Sequence, residues 1–345
     1  MNPIINLTLL SSMMTGTILT MSSHHWISAW LGLELNTLAI IPIISKTHHP
    51  RATEASTKYF LIQATSSALF LLSGITNAYH HGTWDITHLS DNLSKIMITT
   101  ALATKLGLAP IHFWLPEIIQ GVPMLTALII TTWQKIAPMA LLILTWDLIP
   151  STITLTMGLL STIIGGLGGL NQTQLRKMMA FSSIAHLGWM ITITSIAPNL
   201  ALFNLILYSA LTSSTMLIMH LTESKTLQGT TLIFSHSPPL TSFFLLSLLS
   251  LGGLPPLSGF SPKWLILQEL TLHHLTPLAL AMAITALLSL MFYLRTTYIS
   301  TMTLPPSTTP LKNTWRLKPH PNTLPLTPLI LTSLLLLPIT PLAIQ

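Results

Sequence analysis

The chain has 345 residues, of which 6% are Asp, Glu, Lys or Arg and 50% are hydrophobic, with a mean hydropathy of +0.67. A soluble globular domain carries about 25% charged residues, so a chain of this length with so few cannot cover a water-facing surface and has lipid as its main solvent. The formal net charge is +6, but the basic residues stand singly between apolar runs, which argues against a nucleic-acid partner, and the lack of cysteine excludes disulfides, thiol catalysis and cysteine-held metal.

A helix needs about 20 apolar residues to cross the hydrocarbon core. The first such span covers 3–21. It has no positive n-region and no A-x-A site after it, and it lacks the Arg-rich pattern of an import sequence, so a retained helix is expected rather than a removed leader. The second span, 26–45, carries Glu34 near its centre, and the third covers 57–79. The fourth, 95–120, holds Lys105, His112, Glu117 and the prolines Pro110 and Pro116, and is too long for one straight helix. Span five, 122–146, carries Lys135. Spans six, seven and eight cover 150–170, 174–196 (with His186) and 199–222. The ninth, 239–272, is again too long and proline-broken, and carries Lys263. Spans ten and eleven cover 276–299 and 324–343.

The charges test this count, because basic residues gather on one side of a membrane. Loops after even-numbered spans hold Lys46, Arg51, Lys58, Arg176, Lys177, Lys225, Arg295, Lys312, Arg316 and Lys318. The opposite side holds Lys95 at most, with Asp85, Asp91, Asp147 and Glu269. A wrong number of spans would scramble that alternation. The N-terminus is expected on the positive side and the C-terminus opposite.

Two segments resemble each other: KLGLAPIHFWLP at 105–116 and LGGLPPLSGFSP at 251–262, each with a Gly-Leu step and two prolines six apart. Their offset matches the division into spans one to five and six to ten. Five spans is an odd number, so the second half enters the membrane from the other side. The expected fold is an all-α polytopic membrane protein of about eleven helices. It has inverted five-helix repeats at 1–146 and 147–300, a discontinuous helix in each, and a loop and last helix at 301–345. Proline removes an amide donor, and freed backbone at membrane depth is tolerated only in buried protein or beside a water-filled cavity. Matched broken helices in inverted repeats point to a transport site; a single proline kink would mean only packing.

Four ionisable residues fall inside apolar spans: Glu34, Lys105, Lys135 and Lys263. Glu34 is short and about eight residues from either end of its span, too far to snorkel at 1.5 Å per residue, so a functional role is the default. Snorkelling competes best for Lys263, whose depth depends on where its helix breaks, and worst for Lys135, which has apolar turns on both sides. Loss of water disfavours a charged lysine and a carboxylate nearby favours it; a lysine between those influences can gain and lose a proton. A charge moved on Glu34 is expected to switch Lys105. His112 would share a face with Lys105 if that helix ran on. His186 reads equally as a packed residue or as part of a proton path. Glu117 could serve a half-channel or cap the second half-helix, where a carboxylate is favoured, and the cap is the expected reading. The pairs His24–His25, His48–His49, His80–His81 and His273–His274 lack acidic partners and read as interfacial residues, so no metal site is expected. There is no phosphate-binding loop, no dinucleotide fingerprint and no haem or cluster ligand set, so energy for proton movement must come from elsewhere.

Several runs carry a closer likeness: HHPRATEASTKYF at 48–60, GLAPIHFWLPE at 107–117, TWQKIAP at 132–138 and NQTQLRKMMAFSSIAHLGW at 171–189. They resemble the second-subunit family of vertebrate mitochondrial NADH–ubiquinone oxidoreductase, the antiporter-like membrane subunits of respiratory complex I, across essentially the whole chain. The resemblance implies a fourteen-helix fold lacking its first three helices. It places the family's essential glutamate at Glu34, its mid-membrane lysines at Lys105, Lys135 and Lys263, and an extension of the hydrophilic axis at His112 and His186. It implies no cofactor on this chain, with NADH, FMN, iron–sulfur clusters and ubiquinone handled in the parent complex. It also implies partners among the other membrane-arm subunits and phospholipids such as cardiolipin, no homo-oligomer, and a mitochondrial inner-membrane location with the N-terminus in the matrix and the C-terminus in the intermembrane space. Two other functions compete: a stand-alone cation/proton antiporter, disfavoured by the lack of a sodium-site carboxylate pair, and a non-pumping structural subunit, disfavoured by the full lysine–glutamate set.

Overall fold

The structure, a computed structural model, describes residues 3–231, 233–236, 238–303 and 326–340. Lys312, Arg316 and Lys318, and most of the segment expected at 301–345, lie outside the described residues. The helices are α1 (Pro3–Met21), α2 (Trp26–Ile44), α3 (Pro50–His81), α4 (Asn92–Leu106), α5 (Trp114–Gly121), α6 (Met124–Thr131), α7 (Trp133–Leu144), α8 (Ser151–Leu170), α9 (Leu175–Thr194), α10 (Pro198–Leu221), α11 (Leu227–Thr231), α12 (Ile233–His236), α13 (Pro238–Gly252), α14 (Phe260–Leu272), α15 (Thr276–Met302) and α16 (Leu326–Leu335). Among the described residues there is no strand; two isolated bridges, His25–Asp85 and Gln174–Thr226, each tie together the chain flanking a helix pair.

Seven of these stretches are long and apolar enough to cross a membrane: Pro3–Met21, Trp26–Thr47, Pro50–His81, Met124–Leu144, Ser151–Leu170, Pro198–Leu221 and Thr276–Met302. The other expected spans coincide with α9, with α16, and with the interrupted pairs α4–α5 and α13–α14. The third helix starts earlier than the hydropathy reading, at Pro50 rather than 57. Its 32 residues make about 48 Å of helix, longer than the roughly 30 Å hydrocarbon core. Its first turns carry Arg51, Glu54 and Lys58, which disguised them as loop. His49 caps that helix by accepting from the Arg51 N–H at 3.2 Å, with Pro50 at the first helical position, where its missing amide costs nothing. His25 caps α2 in the same way through Ile27, also at 3.2 Å.

The span expected to be continuous at 122–146 is not. It divides at Thr132, where φ is −112° and ψ −69°. Both Thr131 and Thr132 turn their hydroxyls onto the carbonyl of Leu128, at 3.1 and 2.7 Å. Two β-branched residues whose hydroxyls load one carbonyl weaken the helical ladder there. Pro138, six residues beyond, withholds the amide that would bond to Gln134.

Hydroxyls bonding to their own helix are the rule in this chain. Thr20, Ser66, Ser73, Ser161, Ser182, Ser214 and Thr285 each donate to the carbonyl three residues earlier. A serine- and threonine-rich helix thus consumes its own side-chain polarity and presents an apolar flank.

Two compact units result, one of Met1–Ser161 with Leu187–Ala201 and one of Thr162–His186 with Leu202–Gln345. In the first, α1 lies against α2 at glycine contact: a Cβ on Gly16 would sit 2.9 Å from the Gly32 carbonyl oxygen. Small residues permit such backbone approach between membrane helices. This seats the helix that carries Glu34. Trp26 packs on Phe70 with ring centroids 5.0 Å apart, and Tyr59 of α3 meets the edge of Trp114 of α5 at 6.0 Å. In the second unit, α8 approaches α9 at Gly165, whose Cβ would lie 2.6 Å from the Ala185 nitrogen. Arg295 of α15 donates to the carbonyl of Leu170 at 2.6 Å, closing the end of α8, and the Ser258 hydroxyl donates to the Ser333 carbonyl.

Candidate functional site

The two interrupted helices break in the same way. Helix α4 ends at Gly107, with φ +80°, and α13 at Gly253, with φ +82°. Only glycine enters this left-handed region without cost. The Gly107 N–H donates to the carbonyls of Ala103 and Thr104, and Leu108 donates to Ala103. The Gly253 N–H donates to Leu249 and Ser250, and Leu254 donates to Leu249. Further on, Leu115 bonds to His112 and Ser261 to Ser258. Each bond in the second set is the first moved along by the same sequence offset. The matched breaks expected from the two proline-containing segments are thus present, and the second adds two turns of its own, Leu257 to Leu254 and Phe260 to Leu257.

Lys105 occupies the last turn of α4, 6% exposed, and its amine has no hydrogen-bond partner. Glu34, half-buried on α2, acts on it electrostatically without a direct hydrogen bond to the amine. Lys135 is 4% exposed on α7, just past the Thr132 break. Lys105 and Lys135 line one internal cavity together with Asn36, Tyr59, Gln63 and Gln134. The centre of a water molecule can range there over about 20 Å³, against the roughly 10–15 Å³ that one water requires. The cavity lies within the first unit, enclosed by α2, α3, α4, α5 and the divided α6–α7.

Of the remaining expected residues, His112 lies in the connection between α4 and α5. It is 4% exposed, its Nδ1 faces the Pro110 carbonyl at 3.1 Å, and its ring packs on Phe113 at 4.2 Å. The helix does not run on past Gly107, so the helical face that would have joined His112 to Lys105 does not exist; His112 is not among the cavity's lining residues. Glu117 does not cap α5. Its carboxylate takes the Lys58 ammonium at 2.7 Å, and Lys58 also pairs with Glu54 at 2.7 Å. A strong cation one helix away outcompetes the amides of a short half-helix.

The second unit holds Lys263 and His186. Lys263 springs from α14 and reaches back across the break, donating to the carbonyls of Gly252 at 2.8 Å and Leu251 at 3.5 Å. The end of a helix, with its unpaired carbonyls, is where a cation is favoured. A Cβ on Gly253 would meet the Lys263 side chain at 2.9 Å, so the glycine makes room for the lysine as well as for the turn. His186 packs against Tyr208 at 5.3 Å, within a cluster that includes Ser183 and Tyr293.

The residues that the charge pattern did not point to are Asn36, Gln63, Gln134 and Tyr59. For the three amides the signal was available: asparagine or glutamine inside an apolar span needs a partner at membrane depth. Chemically the cavity brings two lysines, buried amides and space for water together, within electrostatic reach of a carboxylate. That is a set able to take up, hold and pass on a proton.

Comparison with known proteins identifies the family. The NADH:quinone oxidoreductase/Mrp antiporter transmembrane model matches residues 23–289, and the NADH dehydrogenase subunit 2 C-terminus model matches residues 290–344. The protein named NADH-ubiquinone oxidoreductase chain 2 in Varanus timorensis is 84% identical over 345 residues, covering 100% of each chain. Its counterpart in Latimeria chalumnae is 52% identical, over 99% of this chain and 98% of its own. A chain of respiratory complex I from Thermus thermophilus superposes with a TM-score of 0.83 at 25% identity, covering 98% of this chain and 80% of that one. A chain of the Mrp complex from Dietzia sp. shares the fold, with a TM-score of 0.77 at 17% identity over 87% of this chain and 61% of that one. The chain belongs to the NADH:quinone oxidoreductase/Mrp antiporter transmembrane family, in its subunit 2 branch.

Proposed function

We propose that the cavity shared by Lys105 and Lys135 is a proton-transfer segment biased by Glu34, within a subunit that moves protons while electrons pass elsewhere. The chain is a membrane-arm subunit of a proton-pumping NADH:ubiquinone oxidoreductase, a multi-pass protein of the mitochondrial inner membrane. It is part of that enzyme without a redox centre of its own; NADH, FMN, iron–sulfur clusters and ubiquinone are handled by other subunits. One observation carries the reading of the site. A lysine amine buried without a hydrogen-bond partner opens onto the same water-sized cavity as a second buried lysine. Buried charge of this kind is expensive and marks ion pathways.

In this reading Lys263 and His186 continue the path in the second repeat, and His112 lies beside its first break. The repeats are 1–146 and 147–300, inverted with respect to each other, with 301–345 supplying a loop and the last of eleven crossings. The basic loops favour an N-terminus in the matrix and a C-terminus in the intermembrane space. The subunit works as a single copy among other membrane-arm subunits, with phospholipids such as cardiolipin around its apolar flanks.

The test is Lys135→Met in the assembled enzyme reconstituted in vesicles. Protons moved per NADH oxidised should fall. An unchanged ratio at an unchanged rate would turn Lys135 into a structural residue and sink the reading.

A further inference from the structure

We infer that Asn36 and Gln134 form a built-in water site between Lys105 and Lys135, and that both are positioning residues of the proton path. This rests on the reading of the two lysines given above. Asn36 is 2% exposed, and neither its Nδ2 nor its Oδ1 has a hydrogen-bond partner in the protein. The Nε2 of Gln134 is likewise buried and unpartnered. Both side chains line the cavity onto which Lys105 and Lys135 open. Folded proteins leave few buried polar groups unpaired, and those that remain point to an ordered water or to function.

Packing alone does not explain these amides. An apolar side chain of the same size would fill either position without an orphaned donor or acceptor. The cavity's 20 Å³ suits about one water, and a buried water requires two to four polar partners. Asn36 supplies a donor and an acceptor, Gln134 a donor, and the Lys105 amine a further group. The backbone is shaped toward the same place. Pro138 withholds an amide from the Gln134 carbonyl, and the Thr132 break sets the turn from which Gln134 and Lys135 emerge.

An amide does not exchange protons on the path itself; it orients the molecule that does. The Lys105 ammonium gives its proton to the water oxygen as that water gives one of its own to the Lys135 amine. One N–H and one O–H break, one O–H and one N–H form, and the positive charge moves from one nitrogen to the other without resting on the water. Two lysines repel a metal cation from so small a space, so water is the ligand.

The experiment uses the assembled enzyme in vesicles. Asn36→Leu and Gln134→Met keep the volume and remove the hydrogen bonds; each should slow proton pumping by the assembled enzyme about tenfold, the effect of one lost link in the barrier. Asn36→Ser, which keeps a hydroxyl and leaves room for the water, should retain pumping within about twofold. The inference falls if Asn36→Leu and Gln134→Met pump normally while Lys135→Met does not, an outcome that leaves the lysine path intact. It also falls if Asn36→Ser fails as badly as Asn36→Leu at equal assembly. Should the apolar variants fail to assemble, a high-resolution map of the unaltered enzyme decides: density for a water against the Asn36 side chain supports the site, and an empty cavity or a metal ion there overturns it.

Discussion

The first and second broken helices share the bonds that end their first half-helices, yet they treat their lysines in opposite ways. Lys105 belongs to the half-helix that ends at the break, and its amine hangs over a cavity without a hydrogen-bond partner. Lys263 belongs to the half-helix that begins after the break, and its amine is tied to the carbonyls at the end of the one before. At the first break a neutral donor, the indole N–H of Trp114, closes on a carbonyl of the same last turn, that of Thr104, at 3.2 Å. One backbone device therefore serves two purposes. With a tryptophan closing it, the break frees a lysine; with a lysine closing it, the break anchors one. Similar backbone does not imply similar chemistry, and the side chain that satisfies the exposed carbonyls decides which it is.

That contrast is breakable. Lys263→Met strands the Gly252 carbonyl at depth, a loss of about 1–3 kcal/mol for an unpaired buried group, so the assembled amount of the enzyme should drop. Lys105→Met strands nothing and should assemble normally; equal assembly of the two, measured on native gels, would abolish the distinction. Next comes Gly253→Ala, which forces a side chain into the left-handed region at about 1–2 kcal/mol and pushes on the Lys263 amine. Gly107→Ala carries the same strain but presses on Leu115 and Trp114 instead. Pumping per assembled enzyme should therefore fall further for Gly253→Ala, and parity would break the comparison. Trp114→Phe removes one hydrogen bond, about 1 kcal/mol, and should lower thermal stability slightly without loss of pumping; a normal melting profile would show that Thr104 finds another donor. The smallest effect is expected from Lys58→Gln. Its partners Glu54 and Glu117 are more than half exposed, and such pairs contribute little. A large loss of assembly would show that the tie to Glu117 holds the half-helix α5 in place.

Much of the fold could be read from the chain alone because lipid imposes simple rules. A stretch without charges must be a helix, basic residues choose a side, and two proline motifs at a fixed spacing announce two breaks. Glu34, Lys105, Lys135 and Lys263 stood out for the same reason, since so few charges interrupt the apolar runs. What stayed hidden depends on side chains meeting across the fold. The Thr132 break has no glycine to mark it and arises from two hydroxyls on one carbonyl. The backward reach of Lys263 depends on which half-helix carries the residue, and spacing does not report that. His112 was linked to Lys105 by a helical face that the Gly107 turn removes. Asn36 and Gln134 looked ordinary because asparagine and glutamine carry no charge, and only the cavity shows that they lack partners.

The self-bonded hydroxyls have a consequence for how this chain reaches its membrane. A threonine whose O–H is already engaged by its own backbone costs an inserting helix little more than an alkyl group, so insertion can proceed span by span before any neighbour arrives. Asn36 is different. Its two amide atoms, unpaired in the folded protein, have nothing within α2 to satisfy them. The second helix thus enters lipid carrying a debt that threonine-rich segments do not have, and its tight seat against α1 at Gly16 and Gly32 reads as a means of sheltering it early. Biogenesis would then treat the first two helices as one insertion unit, a hairpin whose second arm is too polar to travel alone.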